Sequence, residues 1–132
     1  CGDDPRYTEA ARETGAEIAR RGWTLVYGGA RVGLMGVVAN AALDAGGRVV
    51  GVVPRFLYER EVGHDGVTSL EIVGSLTERK LRMGELSDAF LSLPGGIGTL
   101  DEMFEAWSWS QVGLQSKPSG LLNVAGYYDA LA

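Results

Sequence analysis

Apolar positions along the chain alternate between two rhythms. From Pro5 to Arg21, Ala10, Ala11, Ile18 and Ala19 share one helical face and charges fill the rest, which predicts a helix ended by Gly22. Trp23–Tyr27 (WTLVY) is a short apolar run that reads as a strand and stops at Gly28-Gly29. Val32–Ala45 is a second helix rich in small residues, closed by Gly46-Gly47, and Arg48–Val53 (RVVGVV) is a strand stopped by Pro54. Arg55–Ser69 is mixed and polar and is expected to be a long loop.

The alternation then resumes. Leu70–Val73 is a strand, and Leu76–Leu86 a helix with Ser75 as its cap and Glu78 three residues on. Ala89–Leu93 (AFLSL) is a strand, Thr99–Val112 a helix, Ser119–Val124 (SGLLNV) a strand, and Gly126 onward a further helix. The strands are continuous apolar runs, as expected when helices cover both faces of a sheet. The chain therefore reads as an α/β fold, a doubly wound and mostly parallel sheet. Ligands bind such sheets beyond the carboxyl ends of the strands. Both glycine clusters, 28–36 and 95–98, directly follow strands and belong on that edge.

Composition narrows the function classes. The chain has 132 residues, 20 of them glycine, and a formal net charge of −5. Basic residues are scattered, with no stripe that would track nucleic acid. No apolar run is long enough to span a membrane and no secretory signal is visible. One cysteine, Cys1, allows no internal disulfide, which fits a reducing, cytoplasmic setting.

The glycine clusters do not fit the common phosphate-binding motifs. Gly28-Gly29-Ala30-Arg31-Val32-Gly33 resembles the dinucleotide fingerprint, but Ala30 replaces its second glycine and no acidic residue follows about 20 positions on. It is either a tight turn between strand and helix or a mononucleotide contact. Leu93–Glu102 (LPGGIGTLDE) lacks the lysine of an ATP-binding loop. Thr99 and Glu102 have the spacing of a capping box, with Asp101 and Glu102 placed for the first helical turn, so Glu102 has a structural reading beside a chemical one.

Three segments in order carry a family resemblance. PGGIGTLDE is similar to the PGGxGTxxE motif of the LONELY GUY (LOG) family, TERKLRM to its ERK segment, and GGARVGLMG to its GGGxxGLMG segment, with Ala30 the departure. SKPSGLLNVAGYYDAL resembles the continuation, so the match runs along nearly the whole chain. The first loop departs as well: Cys1-Gly2-Asp3-Asp4-Pro5 stands where the family has CGSS.

The resemblance implies a Rossmann-like fold and hydrolysis of the N-glycosidic bond of nucleoside 5′-monophosphates, AMP or N6-prenyl-AMP, to free base and ribose 5-phosphate. It implies no cofactor and no metal, and a homodimer or higher homo-oligomer. Residues 1–132 are then expected to form one Rossmann-like nucleotide-binding domain lacking its first strand and its last helical segment. The catalytic pair implied is Arg79 and Glu102. Gly29, Gly33, Lys80, Met83, Gly95, Gly96, Ile97, Gly98 and Thr99 are the implied substrate contacts. A non-catalytic carrier of a nucleotide or of the molybdenum cofactor is the alternative on the same fold, and retention of Arg79 and Glu102 favours the enzyme.

The chemistry is coherent with that reading. Breaking the glycosidic bond builds positive charge on the ribose, which a carboxylate can stabilise while it positions or deprotonates water. Arg79 brings a fixed charge and a fork of donors that can hold the nucleotide, orient Glu102 or favour the leaving base. His64, in the polar GHDG segment, reads as a surface histidine. Lys80 and Lys117 are the only lysines, and neither has the context of a pyridoxal Schiff base. The 99–112 helix carries Leu100, Met103, Phe104, Ala106, Trp107, Trp109 and Val112, too wide an apolar surface for one buried stripe; part is expected to pack on the sheet and part to meet a second subunit or to be covered by a C-terminal segment.

Overall fold

The computed structural model describes residues 4–95 and 97–130, which form two compact units, residues 8–86 and residues 87–130 together with 4–7. Helix α1 (Pro5–Arg20) begins as its sequence dictates. Asp4 accepts the Arg6 N–H at 2.9 Å, Pro5 takes the first helical position where no N–H is needed, and Gly22 ends the segment at φ 72°. The Arg6 guanidinium and N–H hold the Asp4 carboxyl below its usual range.

In the larger unit, β1 (Thr24–Tyr27), β2 (Arg48–Pro54) and β3 (Ser69–Val73) form a parallel sheet in that order. Tyr27 pairs with Gly51, and Pro54 with Val73. Helix α2 (Gly33–Asp44) joins β1 to β2 and packs on both. Val49 faces it, in a cluster with Tyr27, Ala39 and Ala42. Val52 has the opposite parity along the strand and is equally buried, on the face that helix α4 (Leu76–Leu86) covers. A strand buried on both faces explains the unbroken VVGVV run, each valine contributing about 1.5–3 kcal/mol when fully buried.

Helix α1 packs on α2 through Gly15, where a β-carbon would strike the Val38 carbonyl. The chain is a doubly wound α/β fold with parallel strands, as its pattern predicts. The segment after β2 differs from the predicted loop. Pro54, held at φ −64°, opens a short helix α3 (Arg55–Leu57) that continues as a π-helical turn, Tyr58–Val62. Its polar composition hid this, because the turn has only one helical revolution and shows no period.

In the smaller unit, β4 (Phe90–Ser92) and β5 (Ser119–Leu121) pair in parallel, Phe90 opposite Ser119, with helix α5 (Ile97–Gln111) connecting them. Two expectations are corrected here. Helix α5 starts at Ile97, so Thr99 lies inside its first turn rather than at the cap, and neither Asp101 nor Glu102 is a first-turn acid. Gly98 reads as a breaker in sequence, yet a glycine is cheap where backbone N–H groups lack helical partners anyway. Residues 127–130 form successive turns instead of a helix, with left-handed Ala125 and Gly126 before them (φ 54° and 75°). Among the described residues no helix is long and apolar enough to cross a membrane.

Candidate active site

In the larger unit the candidate residues gather at the carboxyl end of β1. Gly28, Gly29 and Ala30 are buried there. Gly29 has φ 80°, and a β-carbon on it would stand 2.9 Å from Val53 Cβ. Gly51 lies beneath, where a β-carbon would be 2.8 Å from Gly29 Cα. Two glycines on neighbouring segments therefore let the loop lie flat on β2. The segment after the π-helical turn straps it down: Arg31 N–H donates to the Val62 carbonyl at 2.9 Å and His64 N–H to the Gly29 carbonyl at 2.8 Å. His64 Nδ1 accepts the Gly66 N–H at 3.0 Å, so Nε2 carries the proton donated to Asn40 Oδ1 at 2.7 Å. The histidine thus serves as a latch between strap and α2.

Gly33 is exposed and opens α2 at φ 62°. The preceding Val32 makes no side-chain cap bond, and the first turn of α2 carries no carboxylate.

Helix α4 aims Arg79 at this loop. Ser75 Oγ accepts the Glu78 N–H at 3.1 Å, as the capping pattern predicts, while Glu78 Oε2 reaches back to the Gly74 N–H at 2.8 Å. One turn beyond Arg79, Arg82 grips Glu71 of β3 through Nε and Nη2, both at 2.9 Å, and Glu85 through Nη1 at 3.1 Å. The fork lowers the Glu71 pKa and raises that of Arg82. So anchored, α4 lays the Arg79 guanidinium on Gly28: a β-carbon there would be 3.2 Å from Arg79 Nη1 and 3.1 Å from Met35 Sδ. Arg79 is half-buried, with its Nε shielded from solvent. Lys80 and Met83 are half-buried on the same helix.

A surface groove of about 590 Å³ runs along β3 and α4, lined by Glu71, Ile72, Leu81, Arg82 and Glu85 among others. None of Gly28, Gly29 and Arg79 lines it, and the loop chemistry lies elsewhere.

In the smaller unit, Pro94 and Gly95 are buried after β4. Gly96 lies outside the described residues. Gly98 is the second residue of α5 and Thr99 the third. A β-carbon on Gly95 would run into Thr99 Oγ1, so only glycine lets that threonine fold back over the loop. Glu102 is half-buried one helical turn beyond Thr99, on the same side of α5. Met103 and Ala106 turn inward, at 4% and 6% exposure.

Two tyrosines of the segment expected to be helical, Tyr127 and Tyr128, hold this loop instead. Tyr127 Oη donates to the Gly95 carbonyl and Tyr128 Oη to the Leu93 carbonyl. Asn123 accepts the Tyr128 N–H at 2.8 Å and donates to Asp129 at 2.8 Å, which shapes the turn presenting both rings. Burial raises the Tyr128 pKa and keeps its hydroxyl a donor. The adjacent tyrosines after a glycine are the only local signal that could have marked them. Among the described residues no group of three or more His, Cys, Asp and Glu side chains is placed to hold a metal ion.

A protein-family profile described as possible lysine decarboxylase matches residues 35–132. The chain is 52% identical over 136 residues to a cytokinin riboside 5′-monophosphate phosphoribohydrolase of Rhodococcoides fascians, covering 99% of the chain and 69% of that protein. It is 49% identical over 123 residues to the cytokinin riboside 5′-monophosphate phosphoribohydrolase LOG of Oryza sativa subsp. japonica, covering 93% of the chain and 51% of the relative. The chain thus spans about half the length of that plant relative. Among solved structures, a molybdenum cofactor carrier protein of Chlamydomonas reinhardtii superposes with a TM-score of 0.73 at 26% identity, over 89% of this chain and 67% of that one.

Proposed function

Because the chain belongs to the LONELY GUY family, that of the cytokinin riboside 5′-monophosphate phosphoribohydrolases, we propose that it hydrolyses the N-glycosidic bond of adenosine 5′-monophosphates, N6-substituted or plain. Water adds to C1′ of the ribose, the base leaves with a proton, and ribose 5-phosphate remains. The observation that carries the reading is the placement of Arg79: the motif arginine lies on the first glycine loop, at Gly28. Identity supports the enzyme over the carrier, since it is 52% to the phosphoribohydrolase of R. fascians and 26% to the carrier of C. reinhardtii.

In this reading residues 95–99 receive the 5′-phosphate through backbone N–H groups at the start of α5 and the Thr99 hydroxyl. Glu102, one turn along, reaches toward the sugar. Its carboxylate stabilises the developing oxocarbenium charge and takes a proton from the attacking water. Arg79 contacts the nucleotide from the first loop, together with Gly29 and Gly33, and Lys80 and Met83 extend that surface toward the base. No step uses a pyridoxal group. Neither Lys80 nor Lys117 has the sequence context of a pyridoxal Schiff base, so the decarboxylase wording of the family profile describes no chemistry proposed for this chain.

The same proposal makes residues 1–132 a nucleotide-binding domain of a homodimer or larger homo-oligomer, in the cytoplasm, with neither nucleic acid nor membrane as partner. Helix α5 supports the assembly. Phe104 and Trp107 stack edge-to-face at 5.6 Å yet are 46% and 38% exposed, and Val112 and Leu114 beyond them are more exposed still. Release of free base and ribose 5-phosphate from a nucleoside monophosphate, abolished by Glu102→Ala, tests the function.

A further inference from the structure

Tyr27 ends β1 with only 6% of its surface exposed. Its ring belongs to the core cluster with Ala39, Ala42 and Val49. A phenylalanine would fill that space equally well. A hydroxyl in such surroundings costs free energy unless it is bonded, so its presence calls for a partner. The partner is the first glycine loop: Tyr27 Oη donates to the Ala30 carbonyl at 2.9 Å. Burial raises the Tyr27 pKa far above neutrality, and the group stays a donor at any working pH.

Three consecutive residues of the loop are thereby fixed through their backbone. The strap takes the Gly29 carbonyl and the Arg31 N–H from one side, and Tyr27 takes the Ala30 carbonyl from the core. The loop so held carries Gly28, on which the Arg79 guanidinium rests.

We propose that Tyr27 is a positioning residue, whose buried hydroxyl locks the first glycine loop in its nucleotide-receiving shape. The naming of a nucleotide as ligand rests on the function proposed above; the lock itself does not. A locked loop need not be ordered by the substrate, so the lock acts on binding.

The test compares full-length wild-type protein with Tyr27→Phe, which keeps the ring in the core. Backbone hydrogen exchange should accelerate at residues 28–33, and KM for AMP should rise about two- to tenfold, the worth of one buried neutral hydrogen bond. The value of kcat per folded site should stay within about twofold of wild type. Gly51→Ala presses on the loop from below, its β-carbon 2.8 Å from Gly29 Cα and 3.3 Å from Tyr27 Cε1, and should give the same KM signature. Unchanged loop exchange, or a fall in kcat with KM unmoved, would overturn the lock. If wild type releases no base, the dissociation constant for AMP replaces KM; that result sinks the proposed reaction while the lock still stands or falls on exchange and binding.

Discussion

The Arg79 guanidinium lies directly on Gly28, with Met35 Sδ against the same position. Gly28 does not need the left-handed backbone that Gly29 adopts. Its lack of a side chain serves the arginine instead. A single β-carbon would stand 3.2 Å from Nη1 and displace the flexible guanidinium rather than the fold.

Gly28→Ala should therefore keep the melting temperature of wild type and lower kcat by on the order of ten- to a hundredfold, as misplacement of a reacting group does. Paired melting and steady-state measurements check this. Loss of stability with kcat intact would mean that the glycine serves packing alone.

Ser75 should behave in the opposite way. Its hydroxyl satisfies the Glu78 N–H at the start of α4, and Ser75→Ala should cost about 1 kcal/mol. Thermal unfolding should fall by roughly 2–8 °C.

The Glu71–Arg82 fork predicts a pH dependence with a definite sign. The folded-state pKa of Glu71 is depressed by Arg82, so the pair stabilises the fold above the ordinary carboxylate pKa of 4.5. That contribution disappears as pH falls below 4.5 and through the lowered value. Urea midpoints of wild type and Glu71→Gln should differ at pH 7 and converge as pH falls below 4.5 and through the lowered value. The difference should be small, because both side chains are a third or more exposed and screened by water.

These devices differ in how visible they were in the sequence. The strands were legible because burial on both faces leaves unbroken apolar runs, and β2 shows it most plainly. The Ser75–Glu78 cap was legible because its chemistry is local. The start of α5 was not, since Gly98 looks like a breaker when its backbone context is unknown. Tyr27, Tyr127 and Tyr128 were missed for a shared reason. Each acts through a hydroxyl bonded to a carbonyl of a glycine loop, and periodicity reports only that a ring is apolar. The π-helical strap was missed because one turn has no period. The two glycine loops were found as candidates, but which residues hold them was written in contacts across the sequence.

The exposed rings of α5 predict an assembly. Trp107→Glu should turn a homo-oligomer into a monomer in size-exclusion chromatography with light scattering, with far-UV circular dichroism unchanged. A wild-type protein that runs as a monomer would end the proposal for that face.

The most direct measurement is product analysis with AMP and N6-isopentenyl-AMP, for wild type and Glu102→Gln side by side. Wild type should release stoichiometric free base and ribose 5-phosphate. The variant should lose about 10²–10⁴-fold in rate while retaining its fold, because Gln replaces a half-buried carboxylate of similar shape. Full turnover by Glu102→Gln, or nucleotide bound by wild type with no base released, would contradict the proposed reaction.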